Sequence, residues 1–198
     1  MIERVIWGTI EKGSLLADFW RGEAEDEGWQ EATIGKADGT EGEDVSIRRS
    51  AVIWLPESHL LTHVLVGLIA KVNEAEFGFS LTRHEAVQLT RYLPGDHYRW
   101  HCDQFYPHPG QEEAPLSERT VRKLSIAVQL THPSSYLGGD VVIQDSYGTA
   151  LTGRERGEEW RALGSYLVFP SFLQHCVMPV KTGTRISAVM WATGPLWR

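Results

Sequence analysis

Residues 98–105, YRWHCDQF, place a histidine and an aspartate two positions apart in an aromatic run. In a β-strand, positions i and i+2 point to the same face. His101 and Asp103 would then share one interior, with Cys102 turned to the other side. Eight such residues also read as a surface strand that meets water, because short motifs match by chance. A second stretch, VFPSFLQHCVMPVKTGTRISAVMW (168–191), sharpens the reading. His175 ends an apolar-aromatic run, and Arg185 follows just past the turn signal KTGT. If His175 leaves one strand and Arg185 enters the next, a hairpin brings both near one pocket. Two imidazoles and one carboxylate on a face hold Fe(II) and leave coordination positions open. A bidentate 2-oxo acid can fill two of these, and dioxygen another. The far carboxylate of such a molecule needs a cation, and arginine's planar fork suits it better than lysine's point charge. Ser187, at i+2 from Arg185, offers a hydroxyl on the same strand face. A zinc site could also use His, Asp and His, but zinc hydrolysis has no need of the Arg185 element.

These residues need a scaffold. A chain of 198 residues, 42% hydrophobic and 23% charged, can bury a real core and reads as one domain. The expected organisation is a single domain over 1–198, with an N-terminal helical and strand support (1–84) and a β core carrying the metal site (85–198). The formal net charge is −7, which disfavours binding to a phosphate backbone. Cys102 and Cys176, the two cysteines, make no disulfide framework and suit a reducing compartment. The N-terminus lacks the pattern of a signal peptide, and no apolar run is long enough to span a membrane, so a cytoplasmic location is expected.

The strongest helical pattern runs through PESHLLTHVLVGLIAKVNEAEF (56–77). Leu61, Val64, Leu65, Leu68 and Val72 recur at helical spacing, Pro56 and Glu57 suit the start, and Gly78 lies past the end. A shorter helix is expected over 13–20. Strands are expected near 29–34, over 44–55, and then repeatedly from Glu85 onward: EAVQLTRYL, GDHYRWHCDQF, KLSIAVQL, GGDVVIQD, GSYLVFP and TRISAVMWAT. Many short strands after a helical part predict a mainly β fold with flanking α-helices, a barrel or double-sheet jelly roll. Residues 104–122 carry three prolines and mixed charge and read as a long loop, a candidate lid.

Taken together, Tyr92, Gly95, Tyr98, His101, Asp103, the GGD turn at 138–140, His175, Arg185 and Trp191 occur in an order that resembles the 2-oxoglutarate/Fe(II)-dependent oxygenases, in particular their prolyl 4-hydroxylase-like branch. The resemblance covers roughly residues 85–195. It implies a double-stranded β-helix (cupin-like jelly roll) and an enzyme using Fe(II), 2-oxoglutarate and O2. His101, Asp103 and His175 would be the metal ligands. Arg185 would bind the distal carboxylate of 2-oxoglutarate, with Tyr92 and Ser187 as hydrogen-bonding partners. Gln88 shares a strand face with Tyr92. Gln129 stands where related enzymes often place a tyrosine near the cosubstrate, a departure that leaves its role open. Tyr98, Phe105 and Trp191 are candidates for the substrate side or a lid, and Trp191 also reads as a buried wall. An aspartate at 103, where halogenating relatives carry a small residue, implies hydroxylation. The branch implies a protein or peptide substrate residue such as proline. A free amino acid or small metabolite is the alternative, and a non-catalytic metal-binding jelly roll is a different class kept open. Oligomeric state and organism are not readable from the residues.

Overall fold

The computed structural model of the chain describes residues 3–10, 28–35, 41–104, 111, 113–151 and 158–197. Two antiparallel sheets face each other. The larger runs in the order Ile6–Thr9, Ser165–Pro170, Thr120–Gln129, Arg185–Pro195, Gln88–Tyr92, Ala51–Trp54 and Gln30–Glu31, with Arg83–His84 also paired to the Arg185–Pro195 strand. The smaller runs Val141–Gln144, Gln174–Val177, His97–His101 and Arg48–Arg49. From Gln88 onward the strands of these two sheets alternate between them: Gln88–Tyr92 in the larger, His97–His101 in the smaller, and so on to Arg185–Pro195. That alternation is the winding of a double-stranded β-helix. Among the described residues, two minor two-stranded pairs complete the strands.

The larger sheet shows why the sequence chooses this packing. Leu124, Ile126 and Val128 face one way with Ile186, Ala188 and Met190 from the neighbouring strand, all in one buried cluster. The period of two turns Ser125, Ala127 and Gln129, with Arg185, Ser187 and Val189, to the opposite face, towards the smaller sheet. The apolar face is covered by the helix Leu60–Val72, whose buried Leu61, Leu65, Ile69 and Val72 recur at helical spacing and join that cluster.

Several expectations shift. The helix begins at Leu60, because the His59 imidazole caps it by accepting the Leu61 N–H at 3.1 Å, and Pro56 and Glu57 lie in the preceding turn. Its end is as read: a π turn over Asn73–Phe77 closes on Gly78, which takes φ +67° and donates its N–H to the Asn73 carbonyl. The segment 44–55 is not one strand. It is a turn, then Arg48–Arg49 in the smaller sheet, then Ala51–Trp54 in the larger, changing sheets at the buried Ser50. The loop after the first ligands ends sooner than expected, since the next strand starts at Thr120. Residues 105–110 and 112, which include Phe105 and part of the candidate lid, lie outside the described residues, as does the expected helix over 13–20. Among the described residues no helix is long and apolar enough to cross a membrane.

Candidate metal centre

His101 and His175 are direct cross-strand partners in the smaller sheet. Asp103 joins them by another route than the one its spacing suggested. The strand ends at His101, and Asp103 sits in a bend whose backbone N–H donates to the Ser171 carbonyl at 2.9 Å. The chain is thereby tied to the loop that leads into the strand of His175. One potential ligand atom from each of the three residues falls within 4.8 Å of the others. Asp103 Oδ1 is 3.7 Å from His101 Nε2, and its Oδ2 is 3.4 Å from His175 Nε2.

The groups behind these ligands fix their chemistry. His101 Nδ1 lies 2.7 Å from the Arg99 carbonyl, and His175 Nδ1 lies 3.0 Å from the Leu173 carbonyl. A carbonyl only accepts, so each imidazole donates from Nδ1 and keeps a lone pair on Nε2, directed at the shared point. Ser125 Oγ donates to Asp103 Oδ2 at 2.7 Å and is itself 2.9 Å from Ser171 Oγ. Tyr98 stacks on His101 with ring centroids 3.5 Å apart, and Phe169 meets His175 edge-on at 4.9 Å. Burial, then the neighbouring His175, lowers the His101 pKa to about 4. Burial alone would raise that of Asp103, but His175, His101 and Arg122 outweigh it and lower it to about 2. At neutral pH the set is a neutral imidazole at His101 and an ionised carboxylate at Asp103. A neutral imidazole and a carboxylate are the protonation states a ferrous ion requires, and the donor set therefore fits the metal.

Across the same cavity, of about 210 Å3, stands the larger sheet. Register places Tyr92 opposite Arg185, Thr90 opposite Ser187, and Gln88 opposite Val189. Arg185 is 2% exposed and hydrogen-bonds Ser187 Oγ at 3.4 Å, and its Nε has no partner among the described residues. Its guanidinium lies 5.4 Å from the centre of the Tyr92 ring, and burial raises the pKa of that phenol. Gln88 donates to Thr90 Oγ1 at 2.7 Å. A buried cation with an unmet donor, backed by hydroxyls, is a receptor for a carboxylate. Arg185 and His175 do not meet through a hairpin. Their strands lie in different sheets, with Val180–Gly183 between them in sequence, and they converge because the sheets face each other.

Of the other candidates, Trp191 and Tyr98 line this cavity. Gln129 is cross-strand from Ser187 and lines a second cavity, of about 1150 Å3, that Arg185 also lines; its Oε1 has no partner among the described residues. Residues not anticipated from sequence complete the site. Ser125 braces Asp103, and its signal was a lone hydroxyl on the inward period of KLSIAVQL. Arg122 clasps Glu85 with both donors at 2.5–2.6 Å and lies over Trp191. Trp54 leans on Trp191, and Arg48 stands over Tyr98.

A double-stranded β-helix holding two histidines and an aspartate at one mouth, with a buried arginine across from them, defines a non-haem iron oxygenase scaffold. The sequence pattern of the 2OG-Fe(II) oxygenase superfamily matches residues 87–193, and the chain belongs to that family. A PKHD-type hydroxylase of Bordetella pertussis is 30% identical over 169 residues, which cover 81% of this chain and 70% of that one. Another PKHD-type hydroxylase, of a Synechococcus species, is 34% identical over 57% of this chain, but only 44% of its own length is covered. Among solved structures, a prolyl-4-hydroxylase of Pseudomonas putida superposes with a TM-score of 0.64 at 18% identity, covering 96% of this chain and 92% of that chain. A Trichoplax adhaerens prolyl hydroxylase, in complex with a hypoxia inducible factor peptide fragment, gives 0.70 at 12%, covering 96% and 83%. The fold is the one these prolyl hydroxylases share, and the chain is a dioxygenase of the hydroxylase kind, using Fe(II), 2-oxoglutarate and O2.

Proposed function

We propose that His101, Asp103 and His175 hold the Fe(II), that Arg185 receives the distal carboxylate of 2-oxoglutarate with Ser187 and Tyr92 beside it, and that the enzyme hydroxylates a protein or peptide residue such as proline. The observation that carries the site assignment is the opposition of two features in one cavity: three ligand atoms within 4.8 Å of one another, and an arginine buried to 2% exposure with an N–H that is unmet among the described residues. When bound, Fe(II) with 2-oxoglutarate and O2 supplies the power to insert one oxygen atom into an unactivated C–H bond, leaving succinate and carbon dioxide. The residues of the chain do the positioning. The Arg99 and Leu173 carbonyls hold the imidazoles in the ligating tautomer, and Ser125 orients Asp103. Arg185 fixes one end of the cosubstrate and so sets the direction in which its other end meets the ligands. Tyr98 and Phe169 wall the two histidines against water.

The peptide part of the reading is supported by the shared fold with a prolyl hydroxylase that holds a peptide fragment. We keep the cytoplasm as the compartment, since Cys102 and Cys176 are both free thiols. The test is mass spectrometry of proline-containing peptides and of free amino acids after incubation with Fe(II), 2-oxoglutarate and air. A gain of one oxygen on a peptide residue, absent with His175→Ala, is the expected result. Oxygen gained on free amino acids alone would replace the peptide substrate with a small metabolite.

A further inference from the structure

Three arginines line the cavity that holds the ligand set: Arg48, Arg122 and Arg185. Arg122 is neutralised by the bidentate Glu85 carboxylate. Arg185 faces the cosubstrate under the proposed function, and the role of the third arginine rests on that reading. Arg48 remains. Its donors meet neutral oxygens, Ser50 Oγ at 3.1 Å and the Thr33 carbonyl at 3.3 Å, and among the described residues no carboxylate pairs with it. In a chain of net charge −7 that is a local inversion of sign.

The position of Arg48 is set by the fold. It opens the two-residue strand Arg48–Arg49 of the smaller sheet, two positions before the chain changes sheets at Ser50, and its Nε donates to the hydroxyl at that corner. The side chain therefore lies at the mouth between the sheets. Its guanidinium stands 4.7 Å from the Tyr98 ring centre, and Tyr98 stacks at 3.5 Å on His101. Only one ring separates the cation from a metal ligand. In the same cavity, Trp54 presents a half-exposed indole next to Trp191. A guanidinium with donors to spare, in a partly desolvated pocket, is a carboxylate receptor. A half-exposed indole elsewhere on the wall of that cavity suits the apolar body of the same molecule.

We infer that Arg48 is the specificity-determining residue of this oxygenase, and that its substrate presents a carboxylate to Arg48 close to the carbon that is hydroxylated, with its apolar part against Trp54. That carboxylate has two sources, a free amino acid or an acidic group within a peptide, and one panel separates them. The full-length protein, loaded with Zn(II) and 2-oxoglutarate, is probed by ligand-observed NMR with free amino acids, the matching amino-acid amides, and blocked proline pentapeptides with Asp or with Asn beside the proline. The same panel is scored for stimulation of succinate release by the Fe(II) form. Carboxylate members should bind at least tenfold better than their amide partners. Arg48→Gln should bring that ratio to about one, and Arg48→Lys, which keeps the charge and loses the fork, should leave it in between. A packing role of Arg48 on Tyr98 would weaken both members of each pair alike and leave the ratio unchanged. Preference among the free amino acids assigns a small substrate, and preference among the peptides assigns an acidic neighbour. Equal binding of carboxylates and amides overturns the inference, as does a ratio that survives Arg48→Gln, or a panel in which nothing binds while 2-oxoglutarate does. If 2-oxoglutarate itself does not bind, it is the cosubstrate assignment that fails.

Discussion

Replacing Arg185 with methionine should have opposite effects on binding and on stability. With 2-oxoglutarate present, the substitution removes one partner of a buried, hydrogen-bonded charge pair, a loss of roughly 2–5 kcal/mol. At 1.4 kcal/mol per factor of ten, 2-oxoglutarate should bind about 30- to 4,000-fold more weakly. Without 2-oxoglutarate the sign reverses. Arg185 is 2% exposed, and among the described residues its Nε has no partner and its side chain makes one hydrogen bond, 3.4 Å long, to Ser187 Oγ. An unmet buried donor costs about 1–3 kcal/mol, and methionine fills similar space flexibly without it. After some loss of packing, a net gain of ~1 kcal/mol would raise the melting temperature of a chain this size by about 2–4 °C. Calorimetric titration of the Zn(II)-loaded protein reads the first effect, and a thermal melt of the 2-oxoglutarate-free protein reads the second. A variant that melts lower than wild type yet binds 2-oxoglutarate equally well would make Arg185 a packing residue and refute the reasoning.

The neighbours of the site give further outcomes. Ser125→Ala removes the donor that orients Asp103 Oδ2, and should weaken metal binding by about 10–100-fold in chelator competition, with the melting curve little changed. Gly139→Ala should cut 2-oxoglutarate affinity at least about tenfold while sparing the metal: Gly139 holds φ +67°, and a Cβ there would come within 2.8 Å of Arg185 Cδ and 2.9 Å of Val180 Cγ2, displacing the cation from its seat. The metal-free protein should lose stability as pH falls from about 6.5 towards 4, because the unfolded chain protonates His101 in that window while the folded one, with its pKa near 4, does not. The Asp103 contribution should be lost lower still, between about 3.8 and 2. Denaturant melts across pH 3–8 check both signs, and a flat profile over 4–6.5 would contradict the first.

How much of the site was legible beforehand depends on the range of the interactions involved. The inward face of the Arg185–Pro195 strand was readable because a period of two is local: Arg185, Ser187 and Trp191 had to share a face. The ligand set was readable as residue types in a familiar order, although the local arguments for its geometry failed in two places. Asp103 is not on a strand, and is held by a hydrogen bond to Ser171, 68 positions away. His175 and Arg185 meet because their sheets face each other, and no turn joins their strands directly. The role proposed for Arg48 is not legible in the local residues, because its place at the cavity depends on the chain changing sheets at Ser50. Ser125 looked like one more small residue in an apolar run. The role of Gln129, open from sequence, stays open: it is cross-strand from Ser187 and shares with Arg185 the lining of the larger cavity.

The central claim, that this cavity runs an iron- and 2-oxoglutarate-dependent oxidation, is tested most directly by succinate release. Anaerobic protein with Fe(II) and 2-oxoglutarate is exposed to air, and wild type is compared with His175→Ala and Arg185→Ala. Wild type should release iron-dependent succinate, even slowly and uncoupled from any substrate, and neither variant should release any. Succinate formed equally by all three proteins would contradict it. So would the absence of succinate together with no calorimetric binding of 2-oxoglutarate in the presence of an inert metal.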